Sequence, residues 1–219
     1  MRSKFDSQLA ELSSELTNMG ATCARAISLT AQALESRDAA KAQPVAQLEE
    51  QTNEQERAIE ALCLKLLLQQ QPVARDLRQI SAALKMITDM ERIGDQAADI
   101  AEIIPFFLSH NTFDCGLVCR MARQASAMVT QSVDAFVLRD VALAQTVAGQ
   151  DDLVDEDFCQ IKTALIAAIA REPQQGEVAL DLLMIAKYFE RIGDHAVNLA
   201  EWVEFSVTGV HKHDGETWE

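Results

Sequence analysis

One segment of the sequence occurs twice, and this repeat constrains the fold more than any other feature. ERIGDQAADIAE at 91–102 and ERIGDHAVNLAE at 190–201 lie 99 positions apart and are identical at eight positions. Self-similarity at a fixed spacing indicates a duplicated structural unit, in which each copy repeats one arrangement of secondary structure. The sequence therefore predicts two related halves, which we place at 1–108 and 109–219.

Apolar residues recur at spacings of three and four along most of the chain, which is the pattern of helices that bury one face. Glycine (8) and proline (4) are scarce, so little interrupts these stripes. The predicted fold class is all-α, with two tandem three-helix bundles joined head to tail and related by internal duplication. The six helices are expected at about 3–38, from Pro44 to before Pro72, from near Val73 to a break at Pro105, and at about 114–138, 141–171 and 176–208. The stretch PFFLSHNTFDCG, which begins at Pro105, is the expected domain boundary.

The chain is acidic, with a formal net charge of −15 and a pI near 4.6. Nucleic acid is not an expected partner, because phosphate backbones bind basic stripes and none is visible. Cations and basic protein surfaces suit this charge better. Five cysteines without a CxxC pair, and N-terminal residues without an apolar run, favour a cytoplasmic location. No uncharged apolar stretch approaches the ~20 residues that span a bilayer, so a transmembrane protein is not expected.

The second half carries four acids at positions that the helical register assigns to inward-facing seams. Glu190 and Asp194 lie one turn apart on the sixth helix, and Asp151 and Asp155 lie one turn apart on the fifth. Gly193 lies inside the sixth helix, where glycine costs about 0.8–1 kcal/mol relative to alanine, so it indicates a close backbone approach or an intruding ligand. Four carboxylates in a partly dehydrated groove require protonation or a cation. This pattern predicts a metal site, whose oxygen ligands suit iron, manganese, magnesium or calcium more than structural zinc.

The first half repeats this arrangement incompletely. Glu91, Gly94 and Asp95 correspond to the acids and the glycine of the sixth helix. The second helix, however, offers Glu49 and Asn53 where the fifth helix offers two aspartates. Because a neutral amide replaces one carboxylate, we expect a weaker or differently occupied metal site here.

Other readings of these residues stay open. An acid pair one turn apart is most often a solvated surface feature balanced by Arg or Lys. Arg92 and Arg191 are expected to form surface ion pairs. His195 is either a ligand or a polar residue at the edge of the site, and the second reading is favoured. Two cysteines are expected to be small packing residues and two tail histidines to lie in a frayed terminus: Cys115, Cys119, His211 and His213.

A purely structural helical protein without metal and a carboxylate-bridged metal enzyme in a helical bundle are the alternatives. Enzyme sites of that kind use Glu-x-x-His pairs on two helices. No ExxH occurs in the sequence, and Gly-rich phosphate loops, GxSxG and HExxH are also absent. We therefore expect a protein that is not an enzyme.

Two stretches of the sequence carry a resemblance to a known family. QPVARDLRQI at 71–80 leads into ITDMERIGDQAADIAE, and the second half contains IAKYFERIGDHAVNLAEW. These segments, their order and the two-repeat plan resemble the PhoU family of phosphate-signalling proteins over essentially the whole chain. The resemblance implies a cytoplasmic regulator that represses the phosphate-starvation response when phosphate is plentiful. It also implies two partners, the ATPase subunit of the phosphate-specific ABC transporter and a membrane sensor histidine kinase, and we expect a homodimer that meets the membrane through partners only.

The resemblance further implies metal on E(D)xxxD motifs, either iron or another divalent ion such as zinc, manganese or magnesium. Three pairs match this motif fully, and Glu49 with Asn53 matches only its first acid; the full matches are Glu91 with Asp95, Asp151 with Asp155, and Glu190 with Asp194. The segment PVARDLR has no counterpart in the second half, which reads EPQQGEVAL. Since no basic pocket is visible in the sequence, direct phosphate binding is not expected.

Overall fold

The computed structural model describes residues 2–70, 72–110 and 113–210, apart from the side chains of Arg2, Ser3 and Gln70, and these ranges are helical except for short connections. The all-α prediction is confirmed, while the tail with His211 and His213 lies outside the described residues. None of the described helices combines the length and the apolar composition needed to cross a bilayer. The six long helices are α1 (Arg2–Ser36), α2 (Val45–Gln70), α3 (Ala74–His110), α4 (Gly116–Leu138), α5 (Val141–Arg171) and α6 (Gly176–Thr208), with short 3-10 helices at Ala39–Ala42 and Pro173–Gln175 before α2 and α6.

Each half is a three-helix bundle, as the repeat predicts. Helices α1, α2 and α3 contact one another, and α4, α5 and α6 do the same. The stripe of α1 shows why: Leu12, Leu16, Met19 and Ile27 are fully buried and recur at helical spacing. Burying each such side chain contributes about 1.5–3 kcal/mol. Packing of these stripes, more than helix propensity, therefore stabilises the long helices.

The two bundles follow head to tail along the chain, but in space they lie side by side and share one core. Helices α3 and α6 form the most extensive contact between any two elements. They run antiparallel, because Asp89 of α3 pairs with His195 of α6, whereas Asp99, further along α3, is hydrogen-bonded to Tyr188, earlier in α6. The repeated helices that carry ERIGD therefore form the centre of the molecule.

Helices α1 and α4 form a second contact between the halves. A Cβ at Gly20 of α1 would lie 2.8 Å from Cγ2 of Val133, a buried side chain of α4. The Arg37 side chain, just after α1, donates a hydrogen bond of 3.1 Å to the carbonyl of Phe113, shortly before α4. These contacts also require antiparallel packing, and Gly20 allows the two backbones to approach closely.

The predicted break at Pro105 is wrong, because α3 continues through this proline to His110. A proline inside a helix removes one hydrogen bond and costs about 3 kcal/mol. Here the residues around it compensate: Ile104 and Phe107 are fully buried and continue the apolar face of α3. The burial of these two side chains offsets the cost of the proline, which is itself exposed.

Candidate functional site

Helices α5 and α6 approach each other where Asp151 meets Gly193. A Cβ at residue 193 would lie 2.9 Å from Oδ1 of Asp151 and 3.5 Å from Cγ1 of Val154. The close approach that the glycine predicts is therefore present, and the side chain that occupies the space is a carboxylate. Oδ1 of Asp151 is buried and has no hydrogen-bond partner among the described residues.

The four acids predicted in the second half act on one another electrostatically. Burial raises the pKa of Asp151 to about 6, and the charges of the other three acids add to this effect, in the order Asp155, Asp194 and Glu190. Burial also raises the pKa of Asp194, again with a contribution from Glu190. A raised carboxylate pKa means that the fold disfavours this concentration of negative charge. The four acids therefore lie close enough to interact electrostatically.

Lys187 already supplies part of the missing positive charge. Its ammonium forms an ion pair with Glu190, whose side chain is 13% exposed, and lies 5.5 Å from the centre of the Phe158 ring. Its charge also lowers the pKa of Asp194 and so opposes the effect of the neighbouring acids. An internal cation thus competes with any metal for Glu190.

The inner face of α5 differs from the seam read from the sequence. Asp155 is exposed and Asp151 is half-buried, whereas Asp157 is buried, with a side chain that is 4% exposed. Arg120 of α4 binds both oxygens of Asp157, with Nε 2.7 Å from Oδ2. Sequence reasoning missed this pair, although Asp157 lies at helical spacing between two buried residues of α5, Val154 and Ile161.

In the first half, a neutral side chain occupies the space beside the motif glycine. A Cβ at Gly94 would lie 3.3 Å from Cβ and Cγ2 of Thr52, which is buried. The glycine of the first repeat therefore accommodates close packing of α2 on α3. It does not face an acid.

The acids of the first half are partnered by other side chains of the same half. Asn53 donates a hydrogen bond of 2.6 Å to Glu49, and Arg92 lies 3.5 Å from Glu91 and 3.6 Å from Asp95. Burial raises the pKa of Glu91 and of Asp95, and the charge of Arg92 opposes both shifts. An amide and a guanidinium thus supply a hydrogen-bond donor and a positive charge to these acids.

The donor sets of the two halves fit a metal ion unequally. The second half offers an unpartnered buried carboxylate oxygen beside three further acids, which is the oxygen-rich chemistry that hard cations prefer. As the side chains stand, no three His, Cys, Asp or Glu residues in the described part of the chain are placed to hold one ion together. Binding would therefore require at least one acid to turn, and release of Glu190 from Lys187 is the simplest such change.

The other residues singled out in the sequence have structural roles. His195 pairs with Asp89 of α3 at 2.9 Å, and Asn198 donates to the same carboxylate at 3.1 Å, which favours the polar-edge reading of His195. The expected ion pair is present for Arg92, whereas Arg191 forms none with another described residue. Two cysteines expected to be packing residues are buried: Cys115 and Cys119.

Known proteins match the chain in both sequence and fold. A family model described as the PhoU domain matches residues 16–104 and 118–203, one match in each repeat. The Phosphate-specific transport system accessory protein PhoU homolog of Clostridium acetobutylicum is 33% identical over 210 residues, covering 95% of this chain and 96% of that protein. The protein of the same name from Pseudomonas aeruginosa is 32% identical over 217 residues, covering 98% of this chain and 90% of that protein.

Solved structures agree with the six-helix architecture. The crystal structure of PhoU from Pseudomonas aeruginosa matches with a TM-score of 0.89 and 32% identity, covering 94% of this chain and 100% of that one. The crystal structure of the phosphate transport system regulatory protein PhoU from Streptococcus pneumoniae matches with a TM-score of 0.86 and 25% identity, covering 94% of this chain and 98% of that one. With both repeats matched by the family model and the whole fold matched by these structures, the chain belongs to the PhoU family.

Proposed function

We propose that this chain is a regulator of phosphate uptake and of the phosphate-starvation response. In this role it represses the response when phosphate is plentiful, as an adaptor between the ATPase subunit of the phosphate-specific ABC transporter and a sensor histidine kinase. The observation that carries the proposal is the match of both repeats to the family model, together with fold agreement to a phosphate transport system regulatory protein. Because the relatives are named accessory and regulatory proteins, no reaction is assigned to the chain. No observation favours the carboxylate-bridged enzyme.

The charge and surface of the molecule support an adaptor role. A net charge of −15 attracts basic protein surfaces and speeds their encounter with the chain. Large apolar side chains are also exposed beside the α2–α3 connection, where Leu68 is 83% and Val73 is 71% exposed. A cytoplasmic location and a homodimer belong to the same proposal.

We further propose that the second repeat binds one hard cation, such as iron, manganese or magnesium, whereas the first repeat does not. Asp151 and Glu190 would hold the ion, and Asp155 and Asp194 would complete the set at the solvent-exposed edge. The support is the buried Oδ1 of Asp151, which lacks a partner among the described residues. Such an ion would supply positive charge that the four acids lack and would link α5 to α6.

Deletion of the gene in its own organism tests the regulatory role. In high phosphate, a reporter of phosphate-starvation genes should be strongly expressed in the deletion strain and repressed again when the wild-type gene is restored. A deletion strain that keeps the reporter silent in high phosphate contradicts the repressor role.

Co-purification tests the adaptor role separately. The chain, used as bait in a phosphate-replete lysate, should retain both the transporter ATPase and the histidine kinase. An unrelated helical protein of similar net charge serves as the control, because acidity alone attracts basic proteins. Purified chain that binds neither partner at any phosphate concentration would exclude the adaptor role.

A further inference from the structure

Three arginines meet at one end of the molecule, far from the acids of both repeats. Arg75 and Arg78 belong to the first two turns of α3, and Arg139 follows the last residue of α4. Burial lowers the pKa of Arg139, and the positive charges of Arg75 and Arg78 lower it further, so both charges lie within electrostatic range of Arg139. Asp76 opposes this effect but forms no ion pair within 4 Å with any of them among the described residues. A chain with a net charge of −15 thus concentrates positive charge at this point.

Two of these guanidinium groups have buried N–H donors without a partner. Nε of Arg78 and Nη2 of Arg139 are buried, and neither has a hydrogen-bond acceptor among the described residues. The Arg78 side chain lies against Gly209, where its Cδ, Nε and Cζ are 3.4 Å from the position of a Cβ. A buried donor without an acceptor costs about 1–3 kcal/mol. An acceptor that enters from solvent would recover this free energy.

The other end of the molecule shows that the fold does not require this cluster. Arg37 and Arg139 each follow the first helix of their repeat, and both have left-handed backbones, with φ of 53° and 59°. Arg37 donates to the Phe113 carbonyl, so its guanidinium has an internal acceptor. The positions 99 residues after Arg75 and Arg78 hold neutral and acidic residues, Gln174 and Glu177. The repeated architecture therefore does not require arginines at the positions of Arg75 and Arg78.

We infer that Arg75, Arg78 and Arg139 form a binding site for a phosphate group. Guanidinium groups match phosphate oxygens in a planar, two-pronged geometry that lysine cannot reproduce. Three positive charges also suit the roughly −1.5 to −2 charge of a phosphate monoester better than the single charge of a carboxylate. The N-terminus of α3, a helix of 37 residues, adds a favourable dipole.

The three arginines form no visible basic pocket in the sequence, because only the fold brings Arg139 near Arg75 and Arg78. The phosphate site goes beyond the proposed function and needs neither the metal nor the protein partners. The same chemistry is offered by free inorganic phosphate and by a phosphate monoester on a larger molecule, and the experiment distinguishes these sources.

Calorimetric titration of the full chain with inorganic phosphate tests the site. The titration is performed in chelator, so that metal on the acids plays no part, and at constant ionic strength, because exposed charges are screened by salt. The key variant is Arg139→Gly, since glycine adopts the left-handed backbone freely and the helix end is preserved. Arg37→Gly is the matched control, with the same chemical change at the corresponding helix end.

The wild-type chain and Arg37→Gly should bind inorganic phosphate with equal affinity. Arg139→Gly should bind at least about tenfold more weakly, as expected for loss of a charge-assisted hydrogen bond. Arg78→Gln should weaken phosphate binding as well. It provides a second variant at a position away from the end of α4.

Phenyl phosphate and acetate complete the experiment. Tighter binding of phenyl phosphate than of inorganic phosphate supports the site and assigns it to a monoester on a larger molecule, whereas equal binding supports the site and assigns it to free phosphate. Three results overturn the inference: no saturable binding of either phosphate probe to the wild-type chain, an equal loss in Arg37→Gly and Arg139→Gly, or acetate binding as tight as phosphate binding.

Discussion

Asp151 of α5 and Gly193 of α6 are in direct contact, with Oδ1 of Asp151 only 2.9 Å from the place where a Cβ on residue 193 would lie. The corresponding glycine of the first repeat, Gly94, faces the Thr52 side chain instead. The same motif therefore brings a carboxylate into contact with one helix backbone and a threonine into contact with the other. From this difference follow the distinct chemical properties that we propose for the two repeats.

Alanine at the two motif glycines should separate cation binding from packing. Gly193→Ala displaces the Asp151 carboxylate, so we expect the affinity for Mn²⁺ to fall about tenfold or more, while the free energy of unfolding in chelator stays equal or rises by up to about 1 kcal/mol from helix propensity. Gly94→Ala is the matched control and should leave Mn²⁺ affinity unchanged. Calorimetry and urea unfolding measure the two effects. Loss of Mn²⁺ affinity in the Gly94 variant alone would contradict this assignment.

Removal of the internal cation should strengthen binding at the second repeat. Lys187→Gln releases Glu190 from its ion pair, so we expect Mn²⁺ to bind roughly threefold to tenfold more tightly. Lys162→Gln is the control, because Lys162 lies 5.8 Å from the same Phe158 ring but forms no ion pair with the described acids. Equal changes in both variants would mean that only the overall charge matters.

Asp151 should make the metal-free protein less stable as pH rises. Its pKa in the folded chain is raised to about 6, so the folded state holds this proton more tightly than the unfolded state does. Stability from this group is fully present below pH ~4 and is lost as pH rises through about 6. At this half-exposed site we expect a loss of about 1 kcal/mol, because solvent screening reduces the effect.

The comparison with Asp151→Asn isolates this loss. Urea unfolding in chelator at pH 4, 5, 6 and 7 measures the free energy of unfolding of both proteins. The value for the variant should rise relative to the wild-type value as pH rises. A constant difference between the two proteins across this range would show that Asp151 has the same pKa in both states.

The pair of Arg120 with Asp157 should respond unequally to loss of either partner. Asp157→Ala removes the buried carboxylate and leaves Arg120 half-exposed to water, and we expect a cost of about 2 kcal/mol. Arg120→Ala leaves the Asp157 charge buried without a partner, so we expect it to be the more destabilising change. Glu156→Ala, at an exposed neighbouring position, should have a free energy of unfolding within about 0.5 kcal/mol of the wild-type value. Urea midpoints measure all three, and an Asp157→Ala variant less stable than Arg120→Ala would contradict this account.

The fold was predictable because its determinants are local and repeated. The buried stripe of α1 and the duplicated ERIGD segments are visible in the sequence as spacings, so helix number and pairing into two bundles follow from them. The local preference of proline predicts a helix break at Pro105. The helix continues because Ile104 and Phe107 are buried, and their packing outweighs the local preference.

The candidate site was predictable only in part, because it depends on how neighbouring helices are rotated. A seam with spacings of three and four allows either Asp155 or Asp157 to face inward on α5, and contact with α4 and Arg120 selects Asp157. The arginine cluster depends on packing to a greater degree, since Arg139 is distant in sequence from Arg75 and Arg78. Such contacts between remote segments have no periodic signature in the sequence.

The central claim is that two repeats with one fold stabilise their acids differently: Asn53 and Arg92 partner the acids of the first repeat, whereas we propose a bound cation for the second. The most direct test is the metal-to-protein ratio of the full chain, purified without a polyhistidine tag and measured by elemental analysis. We predict about one metal ion per wild-type chain, near zero for the double variant Asp151→Ala and Asp155→Ala, and an unchanged ratio for Glu91→Ala and Asp95→Ala. A ratio near zero in the wild-type chain, or a loss of metal in the first-repeat variant with retention in the second-repeat variant, would contradict the claim.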